Sequence, residues 1–480
     1  MFVRFRPALT RRLLLAATLA LLPVSIATFV SARDSEWRGA VDDQPRLRAA
    51  LPPGSIHQIL IVELENESFA STFGPSSPAT YLNGTLRNEG ELVEGYYATG
   101  HASLDNYISQ ISGQSPTNTT KADCSNLASL SPPFTGIQFF FEDVQPGNDD
   151  PFPATNPGQV DGQGCVYPAP NAGTGAHGAP TIVDQVDARF HSDPRTHVAA
   201  WRDYDEDMGN DPARDGGTPD PTGGTDCAHP PIGGVDHAEI GTATDQYATR
   251  HNPFVYFHSI IDNTAECNAN VVPLGKLGPD GKPDPSGHLA RDLSEIETTP
   301  RFAFITPNVC NDGHDGTCTG VNSEGGHTGG LVGADLWLKH WMPLIMESPA
   351  YRDGHMLVVV TFDEGGVTLT GQSDVRSCCY EQAGPNTVAP GDVFGRATTN
   401  TSPGGGQVGA VVLNRRFIKP GTDNTAGQYN HYSALRTYED LLGIDAGGAD
   451  GAGHIGFAAA PGLVPFGPDV FNAHADGDDR

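Results

Sequence analysis

The stretch HQILIVELEN, residues 57 to 66, reads as an apolar run that ends in the polar pair Glu65 and Asn66. A continuous apolar run of this length fits a strand buried on both faces, as in a parallel sheet, with polar chemistry at its carboxyl end. Similar runs recur at HVAAW (197–201), FVYFHSI (254–260), RFAFITPN (301–308), HMLVVVTFDEGG (355–366) and GAVVLN (409–414). Helical patterns lie between them. ADLWLKHWMPLIME (334–347) places Leu338, Trp341 and Ile345 on one stripe, and YSALRTYEDLLGI (432–444) stacks Leu435, Tyr438 and Leu442. Strands alternating with helices predict an α/β fold: a mostly parallel central sheet covered by helices on both faces. Ligands of such sheets collect beyond the carboxyl ends of the strands.

The chain has 480 residues, long enough for a large core, and the pattern favours one elaborated domain over residues 33–480 with its core at about 57–445. Its 58 glycines and 39 prolines concentrate in stretches such as PDGKPDPSG and DYDEDMGNDPARDGGTPDPTGG, which read as long loop insertions. Asp205, Asp207 and Asp211 lie in the second of these. They lack the ordered spacing of a dedicated calcium loop, so a solvated loop is expected.

Residues 1–32 carry Arg4, Arg6, Arg11 and Arg12, then an apolar run from Leu13 to Val30, then small residues ending at Ala32. This reads as a cleaved export signal, with Arg11-Arg12 suited to twin-arginine export, and an uncleaved anchor as the alternative. A secreted or periplasmic location follows, with no stable membrane span after cleavage. In an exported chain the eight cysteines are expected as disulfides. Cys310 and Cys318 flank a short loop and could close it, whereas the adjacent Cys378 and Cys379 are expected to reach different partners. The formal charge is −30, or −34 once the four signal arginines are removed (−30 minus 4). So acidic a surface argues against nucleic acid as a partner.

Polar clusters fall at strand ends or helix starts: ELENES with Glu65 and Asn66, GHASLDN with Ser103, TPNVCNDGHD with Asn308, Asp312, His314 and Asp315, TFDEGG with Asp363 and Glu364, and YNHYS with His431. Each has a bland reading. Ser103 could be a helix cap, Glu65-Asn66 a strand end, Asp363-Glu364 a turn. Together they suit metal-assisted attack on a phosphoryl centre, in which a cation lowers the pKa of a hydroxyl and a helix N-terminus adds its dipole. No G-x-S-x-G elbow, Walker-type phosphate loop or H-E-x-x-H motif supports another scheme.

The order ENES, H-x-S-L-x-N-Y, TPN-x-C-N-D-x-H-D, TFDEGG and NHYS-x-L-R-T-x-E-D-L-L-G resembles the bacterial phosphoesterase family of acid phosphatases and phospholipases C, within the alkaline-phosphatase-like fold. The resemblance implies Ser103 as covalent nucleophile, Asn106 as a hydrogen-bond donor to a phosphoryl oxygen, and Glu65, Asn66, Asp363 and Glu364 as metal ligands. Relatives with two metals carry an aspartate and a histidine where Asn308 and Glu364 stand here. Asn308, Asp312, Asp315, His314 and His431 are therefore assigned between phosphate binding, leaving-group protonation and a weaker second ion. Oxygen ligation favours calcium, magnesium or manganese over zinc. The expected substrate is a small phosphate monoester, with a phospholipid diester as runner-up and a non-catalytic exported binding protein as a third reading.

Overall fold

The computed structural model describes residues 48–125, 139–145, 158–170, 178–191, 199–236, 242–366, 374–379 and 404–473. Residues 1–32, expected to be an export signal, lie outside them. An eight-stranded sheet forms the centre: β1 (Gln58–Leu64), β2 (Glu91–Val93), β3 (Trp201–Asp205), β4 (Val271–Pro273), β5 (Phe302–Thr306), β6 (Met356–Phe362), β7 (Ala410–Leu413) and β8 (Thr422–Asn424). Their spatial order is β8-β2-β7-β6-β1-β5-β3-β4. β1 sits in the middle, parallel to both β5 and β6, and every one of its residues is buried. Burial on both faces is what an unbroken run of Ile, Leu and Val permits. The sheet is mostly parallel as the sequence implies. β7 departs from that, running antiparallel to β6 and to β2.

Register fixes which side chains share a face, because side chains alternate along a strand. Ile59 and Ile61 lie beside Phe302 and Phe304, and Glu63 lies beside Thr361. Continuing that period puts Glu65 and Asp363 at the carboxyl ends of adjacent strands on the same face. Helix α1 (Ser103–Ser112) covers this face, with Tyr107 6.0 Å from Phe304 between ring centres. Helix α3 (His431–Leu441) lies alongside, with Tyr438 6.3 Å from Phe302. The other periodic segment forms α2 (Gly330–Glu347), which buries Leu338, Trp341 and Ile345 as expected.

Three expectations fail for identifiable reasons. FVYFHSI is helical, not a strand: Asn252 caps the N–H of Phe254 at 3.2 Å and Pro253 starts a 3₁₀ turn, so Asn-Pro overrides the aromatic run. HVAAW reaches only the first residue of β3, and its residues 197 and 198 lie outside the described set. β3 itself is WRDYD, all buried, so Asp205 is no solvated loop residue. Arg202 and Tyr204 are both satisfied by Asp292 on one side of the strand, at 3.0 and 2.8 Å.

All eight cysteines are paired, Cys124–Cys165, Cys227–Cys267, Cys310–Cys318 and Cys378–Cys379. The last pair corrects the expectation of different partners. No described helix is long and apolar enough to cross a membrane.

Candidate active site

The site forms where β1 and β6 end beneath the start of α1. Ser103 is the first residue of that helix, and the cap residue Ala102 makes no side-chain cap hydrogen bond. The serine hydroxyl instead donates to Oε2 of Glu65 at 2.8 Å. Glu65 Oε2 also accepts from the Asn66 amide at 2.8 Å, and the Asn66 backbone N–H donates to Asp363 Oδ1 at 2.8 Å. Asn66 adopts φ 56°, a left-handed conformation that asparagine tolerates better than most residues. This turn aims its N–H at Asp363 and its amide at Glu65. The Glu364 backbone N–H closes the same knot on Asp363 Oδ1 at 2.6 Å.

Burial dominates the electrostatics. Glu65 is pushed well above the usual carboxylate range by desolvation, then by the charges of Asp363 and Asp312. Asp363 is pushed to about 8 by burial and by Glu364, and Asp312 to about 7 chiefly by burial. Glu65 Oε1, Asp363 Oδ2 and Asp312 Oδ2 are buried without a hydrogen-bond partner. Buried acids with orphaned oxygens either hold a proton or face a cation. In chemical type the oxygen donors of Glu65, Asn66, Asp363 and Glu364 suit a divalent ion, although their carboxylates are not gathered to ligand spacing.

Three residues at the site were not singled out from the sequence. His251 is buried, its Nε2 3.4 Å from Glu65 Oε1 and its Nδ1 3.4 Å from Asp312 Oδ2, with its ring stacked on Tyr107 at 5.5 Å. Burial, then the Arg250 charge, lowers its pKa well below the ordinary value. Arg250 is buried among Asp123, Glu65, Asp236 and Asp312; burial lowers its pKa, but these acids outweigh it. Asp123 accepts the Leu104 N–H at 2.9 Å and so caps the first turn of α1 from another part of the chain. The signal was the R-H-N-P sequence, in which Asn-Pro starts a helical turn immediately after two basic residues.

The remaining candidates divide. Asp312 joins the centre: its backbone oxygen accepts the Glu65 N–H at 2.8 Å and its Oδ1 accepts the His314 N–H at 2.9 Å. His314 is partly exposed and donates Nδ1–H to Asp315 Oδ1 at 2.8 Å. Burial lowers the His314 pKa, but the Asp315 hydrogen bond and the Asp312 charge outweigh it, and the net shift is upward. His431 is buried with both nitrogens engaged. Nε2–H donates to the Asp363 backbone oxygen at 2.9 Å and Nδ1 accepts from Tyr96 at 3.2 Å, while burial lowers the pKa to about 4. This makes His431 a neutral strut under Asp363, poorly suited to protonating a leaving group.

Asn106 does not present its amide to a ligand. Its Oδ1 accepts from the N–H of Thr99 and of Gly100, and its Nδ2 donates to the carbonyls of Gly100 and Ala102. It shapes the turn before Ser103. Asn308 lies apart, donating to Asp207 at 2.7 Å and accepting from the Cys310 N–H.

Asp220, Asp226 and His288 form a separate group whose ligand atoms all lie within 4.8 Å of one another, a spacing that Glu65, Asp363 and Glu364 do not meet. Its histidine is committed, however. Arg291 donates to His288 Nδ1 at 2.6 Å, so Nε2 carries the proton and gives it to Asp220 at 2.9 Å. A metal would need a lone pair at that nitrogen.

No protein-family model matches the chain. Among curated proteins it is 28% identical over 131 residues to a probable acid phosphatase of Kluyveromyces lactis, covering 27% of this chain and 24% of the relative. It is 28% identical over 141 residues to an acid phosphatase of Aspergillus fumigatus, covering 29% and 25%. A phosphate-repressible acid phosphatase of Penicillium chrysogenum is 25% identical over 188 residues, 38% and 31% of the two chains. The match thus spans a quarter to a third of these fungal relatives. Among solved structures, a protein in the alkaline phosphatase superfamily from Vibrio parahaemolyticus aligns over 85% of this chain and 74% of its own at 12% identity and TM-score 0.39. The PsFucS1 sulfatase of a Pseudoalteromonas species aligns over 92% and 78% at 10% identity and TM-score 0.40.

Proposed function

We propose that this protein is an exported phosphoric ester hydrolase, a phosphomonoesterase that works through a phosphoserine at Ser103. The observation that carries the proposal is the Ser103 hydroxyl, at the first residue of a helix, donating to a buried carboxylate, Glu65. The names of the fungal relatives support the ester class. The four disulfides support export.

Ser103 Oγ attacks phosphorus in line with the leaving alcohol, and its proton passes to Glu65 Oε2 along the existing hydrogen bond. The P–O bond to the leaving group breaks, and the departing oxygen takes a proton from His314, which Asp315 keeps oriented. Water then attacks the phosphoserine. The Ser103 oxygen recovers its proton from Glu65, and the water proton restores His314. Arg250 and the positive end of the α1 dipole offset charge on the phosphoryl oxygens. A divalent cation held by Glu65, Asn66, Asp363 and Glu364 would supply further charge neutralisation and a lower serine pKa.

Acid quench during turnover of a labelled nitrophenyl monoester, followed by peptide mapping, should place phosphate on Ser103. Label on a histidine refutes the route. Turnover of a nitrophenyl choline diester in place of the monoester would make the enzyme a phospholipase C-type diesterase.

A further inference from the structure

His101 lies two residues before Ser103, is buried, and has no part in the route above. Its ring spans two elements. Nδ1 meets Glu364 Oε2, and Nε2 lies 3.0 Å from the backbone oxygen of Asp374. A carbonyl only accepts, so Nε2 carries a proton and the Nδ1 edge is aimed at the carboxylate. Among the described residues this is the hydrogen bond that reaches the Glu364 carboxylate.

The Asp374 anchor is itself fixed. Its carboxylate accepts from the backbone N–H of Arg376 and of Gln407, both at 3.1 Å. The strap 404–407 in turn is knitted to the turn before Ser103: Gly405 N–H donates to Ala98 and Ala98 N–H donates to Gly406. A Cβ at Gly405 would lie 2.1 Å from the Gly100 oxygen, so the approach tolerates only glycine. His101 is thus braced from behind by one loop and tied by its backbone to the serine, while its ring holds the late acid.

We infer that His101 is a positioning residue that sets Glu364 in register with Ser103, so that the acid at the end of β6 and the hydroxyl at the start of α1 face one ion together. The inference rests on the metal reading of the site proposed above. Glu364 has three side-chain bonds to order, and a braced imidazole removes that freedom before a ligand arrives.

Binding of Mn²⁺ to the purified full-length protein, measured by titration calorimetry, tests this without relying on activity. His101→Ala should weaken Mn²⁺ by about 10- to 100-fold, as loss of a partner behind a metal ligand does. Glu364→Gln should weaken it as well, and the double variant should be no worse than the more affected single one. In turnover, His101→Ala should lower kcat at saturating metal with KM little changed. His101→Gln, which keeps one donor, should recover part of the affinity and serves as the probe should the alanine variant not fold. Wild-type affinity in a folded His101 variant, or effects that multiply in the double variant, overturns the positioning role. A flat wild-type titration refutes the metal reading itself and the inference with it, an outcome recognisable before any variant is made.

Discussion

The Ser103 hydroxyl and Glu65 Oε2 are 2.8 Å apart, although they belong to a helix start and a strand end separated by 38 positions. Glu65 is fully buried, so the serine faces an acceptor that water does not compete for. Ser103→Ala should lower kcat/KM by about 10³-fold or more. Glu65→Gln keeps the shape and removes the base, and should lower kcat by about 10²-fold. Steady-state kinetics on one monoester checks both, and a Glu65→Gln enzyme with full kcat would remove Glu65 from the proton path.

His314 is expected to act as an acid, and its pKa lies above the ordinary value because Asp315 and Asp312 face it against the opposing effect of burial. The protonated form is lost as pH rises through that raised value, so activity should fall on the alkaline side. Asp315→Asn should move this limb to lower pH. His314→Gln should cost about 10²-fold on an alkyl phosphate and much less on a nitrophenyl phosphate, whose leaving group needs no proton. Equal losses on both substrates would show a role other than acid.

A second acid pair lies away from the site. Asp203 and Asp205 point to the same face of β3, both fully buried, with none of their four carboxylate oxygens satisfied by a donor at hydrogen-bond geometry. Burial, then Asp205, pushes Asp203 well above its usual range; burial pushes Asp205 to about 8. A raised folded pKa means the native state binds more protons than the unfolded chain between about pH 4 and the folded value. Stability from this pair is therefore full at acid pH and lost as pH rises toward 8 and beyond. Asp203→Asn should flatten the slope by up to about 1.4 kcal/mol per pH unit, making the variant relatively more stable at pH 9 than at pH 5. Denaturant midpoints at the two pH values decide it; parallel profiles would mean the pair is ionised or paired with a cation.

Much of the central sheet was legible because β1, β5, β6 and β7 are apolar runs with no competing signal. β3 was hidden. WRDYD carries its polar side chains into buried partnerships, with Asp292 on one face and the Asp203–Asp205 pair on the other, and composition alone reads as a loop. Likewise the acids at the strand ends were visible from their position, whereas His251, stacked on Tyr107, and Arg250, lying over the Phe139 ring, reach the neighbourhood of Glu65 only through tertiary packing. Asn106 shows the limit in reverse. Its spacing from Ser103 suited a ligand contact, but its amide is used up by the turn that presents the serine.

The Cys227–Cys267 bridge closes a separation of 40 residues and sits beside the Cys227 N–H to Val271 hydrogen bond at 2.9 Å, on edge strand β4. Loop entropy assigns such a bridge about 4 kcal/mol. The double Cys→Ser variant should lose about that much stability and release β4 first, read as early hydrogen exchange at Val271 and Val272. Global exchange with no preference for β4 would show the edge strand is held by its neighbours instead.

Charge sets the last expectation. The chain carries −30, which repels a phosphate dianion, yet Arg250 is buried at the site among Asp123, Asp236, Glu65 and Asp312. Distant acids act through solvent and are screened beyond about 8 Å at physiological salt, whereas a buried guanidinium next to the reacting group is screened much less. Added salt should therefore weaken the repulsion more than the local attraction. The value of kcat/KM for an anionic monoester should rise or stay level between 20 and 300 mM salt, roughly the span over which the Debye length falls below 10 Å. Arg250→Met should lower kcat/KM without changing that trend, because the repelling field remains. A steep fall with salt in the wild-type enzyme would mean that substrate is gathered by an exposed basic patch, not by a buried cation inside an acidic protein.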